Sequence, residues 1–387
     1  MTGRALLMIP GPIEFEPEVL QALGAPTTSH VAPKFIEAFG VVLEQMRQIW
    51  LCPSGQPFVV AGSGTLAMDV AGANLIEPGD RALVISTGVF GDRYGDLLLR
   101  YGARVDMLQA PLGAAVSTVE IERKLAEGGY KVLTCTHVDT STGVRMDAKA
   151  IGTLGRQYGV LTVLDGVCSV AGEEVRQEEW GIDVVLTASQ KAIGVPPGLA
   201  LLVASPQAIA AWRSRKQPVS NYYADWCNWL PIMEAYEARR PSYFGTPAVN
   251  LVCALRVSLS QILDEGLQTR FQRHRLLGSA CREAIRALGM SQVPEEAVAS
   301  STLSAPRYPD GVSGSDLLPQ VRAAGAILAG GLHPEIKDTY FRIGHMGANT
   351  PGDLLATIGA LEAGLAATGH GFELGAGVAA AQRVLHA

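Results

Sequence analysis

The stretch Asp183–Ala204, DVVLTASQKAIGVPPGLALLVA, decides how the rest of the chain is read. It opens on an apolar run, DVVLTA, turns at Ser189-Gln190, sets Lys191 just beyond the turn, and enters a second apolar run, LALLVA, from Leu199. Runs this short and this apolar are strands covered on both faces, as in a mostly parallel sheet packed between helices. Five more precede it: PFVVAG from Pro57, ALVIS from Ala82, RVDML from Arg104, KVLTCT from Lys131 and VLTVLD from Val160. Amphipathic stretches separate them, with breakers at Pro78-Gly79-Asp80 and Pro206 and a helix expected from about Asp147 to Gly159. This alternation predicts an α/β core in which every one of these strands is buried on both faces.

From about Leu263 the chain turns helix-rich and arginine-bearing (RFQRHRLLGSACREAIRALG), with weaker strand signals near Ser301–Arg307 and Tyr340–Ile343. The expected division is an N-terminal arm at 1–14, a large domain at 15–262 and a smaller C-terminal α+β domain at 263–387. The last ~15 residues, rich in glycine and alanine, read as a frayed tail. The length of 387 residues fits two domains at roughly 150 residues each.

Composition narrows the function. Lys plus Arg number 31 against 37 Asp plus Glu, a net charge of −6, and no basic run offers nucleic acid or anionic lipid a footprint. With 48% apolar and 18% charged residues, the chain is expected to be folded and soluble. The six cysteines show no C-x-x-C spacing, which fits free thiols in a reducing, cytoplasmic setting. The apolar run ALLMI after Arg4 is too short for a signal peptide. The longest apolar stretch, around Leu199–Trp212, is broken by Ser205, Pro206 and Gln207, so no membrane span is expected.

Three features carry chemistry. Gly62-Ser63-Gly64-Thr65-Leu66-Ala67 follows a strand and opens a helix, fitting G-x-G-x-x-G/A. A dinucleotide fold would also place an acidic residue at the end of the second strand, but that strand ends in Ser86. A phosphate cradle, with backbone N–H groups at the helix start and Ser63 and Thr65 hydroxyls beside them, and a purely structural tight turn both fit these residues. Asp165 closes VLTVLD, and Lys191 lies 26 residues on; both sit at carboxyl ends of strands, where open α/β sheets bind ligands. Alone, the first reads as a helix cap and the second as a surface charge. Together with the glycine turn they match the needs of pyridoxal 5′-phosphate: an amine for a Schiff base, a carboxylate for the pyridine nitrogen and a cradle for the phosphate.

The blocks AGSGTLAMDVA, THVDTSTGV, VLDGVCSV, DVVLTASQKAIGVPPGL, YYADW, PSYFGTPAV and YFRIGHMG, in this order, make the chain resemble class V aminotransferases of fold type I, in particular alanine–glyoxylate aminotransferases of the fungal type. The resemblance runs from about Leu6 to Leu365. It implies a large domain with a mostly parallel seven-stranded sheet, a small α+β domain, and Lys191 as the Schiff-base lysine with Asp165 on the pyridine nitrogen. It further implies Val167 and Phe90 on the two ring faces, Thr140 on the ring oxygen, and Ser63, Gly64, Thr65 and Gln190 at the phosphate. Tyr243 and Thr246 match residues that reach the phosphate of a neighbouring subunit, so a homodimer with shared sites is implied. Arg342 matches the arginine that binds the substrate carboxylate, in keeping with the two-point geometry of a guanidinium.

The implied reaction is ping-pong transfer of an amino group from L-alanine to glyoxylate. Runners-up are serine–glyoxylate, ureidoglycine–glyoxylate or pyridoxamine–pyruvate transamination, then a lyase dependent on the same cofactor, and most remotely a dinucleotide-dependent dehydrogenase. His345 has no ligand-spaced partner and reads as structural, and no metal site is expected. The aromatic cluster Tyr222, Tyr223, Trp226 and Trp229 reads as packing.

Overall fold

Apolar β-branched and leucine-rich segments lose least as strands when both faces are covered. In the computed structural model, which describes residues 5–387, the strands in chain order are β1 (Leu6–Leu7), β2 (Gln56–Ala61), β3 (Arg81–Ser86), β4 (Arg104–Gln109), β5 (Tyr130–Thr136), β6 (Leu161–Asp165), β7 (Val184–Ala188), β8 (Leu199–Ala204), β9 (Leu303–Ser304), β10 (Ala326–Ile327), β11 (Ala329–Gly330) and β12 (Phe341–Gly344). The seven runs expected from the sequence form one sheet in the order β2-β8-β7-β6-β5-β3-β4. β8 is antiparallel to both neighbours, and the remaining pairs are parallel. The mostly parallel seven-stranded sheet that the resemblance implies is therefore present.

One expectation is corrected at the edge. β6, β7 and β8 are buried at every residue, whereas β4 is half-buried or exposed throughout. Its sole strand neighbour is β3, and RVDMLQ puts Asp106 and two charged or polar ends among its apolar residues. The helix expected near Asp147 forms over Ala148–Tyr158, with the Asp147 carboxylate accepting from the Ala150 N–H at 3.0 Å as an N-cap should.

The chain passes through Gly266 from the helix Val249–Glu265 to the helix Leu267–Ala287. Most of the chain beyond Gly266 gathers around a second apolar cluster that includes Leu277, Leu317, Phe341, Ile343 and Leu361. β9, β11 and β12 make a small antiparallel sheet there, and β1 pairs with β10. Met8 is part of this cluster, so the segment expected as an arm is anchored in it; residues 1–4 lie outside the described residues. The frayed tail is a second correction. Residues 376–385 form a helix against Leu267–Ala287, with Ala380 and Ala381 buried; alanines have little side-chain entropy to lose and allow close approach. Among the described residues no helix is long and apolar enough to cross a membrane.

Candidate active site

The carboxyl ends of β5, β6 and β7 open on one edge of the sheet. β2 runs in the same direction as β7, since both oppose β8, so the loop after Ala61 reaches that edge too. There a cavity of about 190 Å³ is lined by Ser63, Gly64, Thr65, Phe90, Thr140, Asp165, Val167, Gln190 and Lys191, together with Met68, Arg93, Val138 and Cys168. Every expected cofactor residue of the single chain is therefore in one place. A larger crevice of about 370 Å³ beside Glu265, Arg270 and Arg273 is bridged by ion pairs among those three residues and holds none of these groups.

The cradle begins at Ser63, where the chain is extended before the helix Gly64–Leu75. Among the described residues no side chain caps this helix start, leaving first-turn N–H groups for an anion. Gly64 allows the helix to lie against the floor of the cavity: a Cβ there would meet Val167 Cγ2 at 2.9 Å and Ala188 Cβ at 3.2 Å. Gln190 lines the cavity as well; its buried Oε1, an acceptor, has no hydrogen-bond partner among the described residues.

Asp165, only 2% exposed, accepts from the Val167 N–H at 3.0 Å and from Thr136 Oγ1 at 3.4 Å. Burial pushes its carboxyl up to about 6. The Val167 N–H opposes that rise, and the nearby Asp139 charge adds to it. A cationic ring N–H beside this carboxylate would restore the ionised form. Lys191 is held below the usual lysine range, first by burial; the Arg342 charge acts the same way, while Cys168 and Asp165 oppose it. No ion pair joins Lys191 to Asp165 among the described residues. Instead the ammonium donates to the carbonyl of Pro10, and Ile13 N–H bonds the Gln190 carbonyl at 3.3 Å. Gly11, at φ 117°, has no room for a side chain, since a Cβ would lie 2.6 Å from Lys191 Cδ.

Phe90 sits in the first turn of the helix Val89–Arg100. Asp139, fully buried, accepts from the N–H groups of Phe90 at 3.0 Å and Gly91 at 3.4 Å, while Ser141 Oγ accepts from Val89 N–H at 3.0 Å. Arg93 lies over the Phe90 ring at 4.8 Å and within 3.5 Å of Thr65 Oγ1. Arg342, half-buried on β12, donates to the Gly330 carbonyl at 2.9 Å and the Thr140 carbonyl at 3.3 Å. Among the described residues it has no carboxylate partner. A half-buried cation bonded only to carbonyls gains when an anion joins it.

The structure leaves Tyr243 and Thr246 outside this cavity, both exposed on the chain's own surface. Trp226 and Trp229 are buried packing groups, the former stacked on Phe58; Tyr222 and Tyr223 are exposed. His345 is buried against Ser304 Oγ, and burial lowers its pKa to about 3. No cluster among the described residues suits a metal. Sequence reasoning missed Asp139, Arg93 and the Pro10–Gly11 contact. Arg93 had a signal, since it lies three residues after Phe90 and so on the same helix face.

The buried carboxylate, the desolvated amine, the uncapped helix start and the Phe90 and Val167 walls are the donor set that pyridoxal 5′-phosphate requires, and the residues present can hold it. Comparison with known proteins agrees. The family pattern of aminotransferase class V matches residues 18–342. Alanine–glyoxylate aminotransferase 1 of Saccharomyces cerevisiae is 39% identical over 364 residues, 88% of this chain and 91% of the yeast protein. Serine–glyoxylate aminotransferase of Arabidopsis thaliana is 31% identical over 99% of this chain and 96% of its own. The crystal structure of pyridoxamine–pyruvate aminotransferase from Mesorhizobium loti superposes with a TM-score of 0.93 at 28% identity, covering 99% of this chain and 98% of that one.

Proposed function

Because the chain belongs to the class V aminotransferases, we propose that it transfers the amino group of L-alanine to glyoxylate, giving pyruvate and glycine in a ping-pong exchange. The observation that carries this reading is Arg342, a half-buried cation without a carboxylate partner among the described residues, which does not itself line the cavity but bonds the carbonyl of Thr140, a residue that lines it together with Lys191 and Asp165. Its planar fork receives the substrate carboxylate at two points. The 39% identity to the yeast alanine–glyoxylate enzyme supports alanine as donor.

Pyridoxal 5′-phosphate, when bound, supplies an electron sink for the charge left on Cα as its proton departs. Ser63, Gly64, Thr65 and Gln190 would hold the phosphate, Asp165 the pyridine nitrogen, Thr140 the ring oxygen, and Phe90 and Val167 the ring faces. The Lys191 amine, made less basic by burial, would take the proton from Cα and deliver it to the cofactor carbon that keeps the amino group, and would carry a proton the opposite way in the second half of the exchange. Tyr243 and Thr246 complete the phosphate site of a partner subunit in a homodimer, and residues 15–262 and 263–387 act as the large and small domains.

A donor and acceptor panel tests the reading: L-alanine, L-serine, (S)-ureidoglycine and pyridoxamine against glyoxylate and pyruvate, with the keto or aldehyde product measured. The expected result is the highest kcat/KM for alanine with glyoxylate. A higher value for another donor overturns the substrate assignment.

A further inference from the structure

Tyr340 is fully buried, and its hydroxyl makes three hydrogen bonds. It accepts from the backbone N–H groups of Leu332 at 2.8 Å and His333 at 3.0 Å and donates to the carbonyl of Ser141. A phenol has one proton to give and room for two donors, so this hydroxyl is saturated. Two residues on, Arg342 lies on the same side of the extended chain and reaches the carbonyl of Thr140. The two side chains therefore grip the 139–141 turn at consecutive carbonyls. Arg342 also bonds the Gly330 carbonyl at the end of β11, and Tyr340 ties down the loop that follows it at Leu332 and His333.

The gripped turn is itself built into the site. Ser141 donates to Asp139 through its N–H at 2.9 Å and its hydroxyl at 2.5 Å, and Asp139 accepts from the helix start that carries Phe90. We propose that the Tyr340 hydroxyl is a positioning group that sets where Arg342 presents its guanidinium to the substrate carboxylate. The proposal rests on the reading of Arg342 as the carboxylate clamp. The clamp is held at Gly330 and Thr140, and Tyr340 fixes the turn that carries the Thr140 carbonyl and the loop that directly follows Gly330. Without the phenol oxygen, the buried His333 N–H, the Leu332 N–H and the Ser141 carbonyl lose their partner and must find others, so loop and turn shift. A two-point contact tolerates little displacement.

The test uses Tyr340→Phe holoenzyme. Binding of 2-methylalanine, an amino acid with no Cα proton, is followed by cofactor absorbance, and steady-state kinetics are measured with alanine. The expected result is a five- to twentyfold rise in Kd for 2-methylalanine and in KM for alanine, with kcat changed less than threefold and the cofactor retained. Ile358→Val, a mild truncation in the small-domain core, should lower Tm and leave Kd and KM unchanged. In the Tyr340→Phe, Arg342→Ala double variant, the Tyr340 change should weaken binding no further than Arg342→Ala alone. Unchanged Kd and KM in Tyr340→Phe, an equal rise in Ile358→Val, or additive losses in the double variant would each overturn the proposal. If Arg342→Ala itself leaves 2-methylalanine binding intact, the clamp reading fails instead.

Discussion

Replacing Arg342 by alanine removes the cation proposed above to meet the substrate carboxylate. Truncating one partner of a desolvated, hydrogen-bonded charge pair costs roughly 2 to 5 kcal/mol. Arg342 is half-buried, so solvent screens part of the contact and the lower part of that range, about 2 to 4 kcal/mol, applies. At about 1.36 kcal/mol per factor of ten, kcat/KM for alanine should fall between about 30-fold and about 900-fold. The cofactor should stay bound, because the cradle, Asp165 and Lys191 come from other elements. Arg342→Lys should recover little, since an ammonium cannot keep the Gly330 and Thr140 carbonyls and still offer a planar fork. The assay is steady-state kinetics with alanine and glyoxylate, beside the absorbance spectrum and Tm of each variant. A kcat/KM within threefold of wild type, or loss of cofactor absorbance, would refute the clamp assignment and make Arg342 a structural residue.

Asp165 gives a pH signature in protein stripped of cofactor. Its folded-state carboxyl is raised from 3.8 to about 6, so the folded chain keeps a proton that the unfolded chain has released. Stability should therefore drop by up to the order of 3 kcal/mol as pH rises from about 4 to about 6. Asp165→Asn should lack that slope and melt higher than wild type at pH 7 while binding cofactor poorly; parallel melting curves across pH 4 to 8 would contradict this. Gly64→Ala pushes the cradle helix off Val167 and Ala188, and fluorescence titration should show cofactor Kd raised at least tenfold. Borohydride reduction and peptide mapping should place the pyridoxyl group on Lys191, and finding it on another lysine would sink that assignment. Mixing Lys191→Ala chains with Tyr243→Ala, Thr246→Ala chains should restore activity at one site of each heterodimer; no recovery with subunit exchange confirmed counts against shared sites.

The sheet was legible because its strands are apolar runs whose burial requires no distant information, and the ends of those runs located Asp165, Lys191 and the Gly62–Ala67 turn. What escaped depends on pairings between remote segments. β4 has the same length as its neighbours, and only the strand order puts it at an edge. Asp139 looks like one more polar residue in THVDTSTGV until the fold brings the Val89–Arg100 helix start onto its carboxylate. Tyr340 was read as strand, while its hydroxyl serves three backbone groups from two other loops. The Gly- and Ala-rich C-terminus lacks the large apolar side chains that mark a buried helix, yet its small side chains allow it to pack closely.

The arm has a consequence for how the protein is made. Its residues precede the sheet in the chain, but β1 pairs with β10 at Ala326 and Ile327, the Met8 carbonyl accepts from Gly344 N–H, and Pro10 is held over Lys191. A ribosome that has passed residue 262 has delivered the whole seven-stranded sheet and the reactive lysine, while the docking surface for the arm is still unsynthesised. Seating this segment across so long a stretch of chain is a non-local event, slow compared with forming the helices around it. The cavity wall at Lys191 therefore waits on Ala326, Ile327 and Gly344, which follow the whole seven-stranded sheet in the chain.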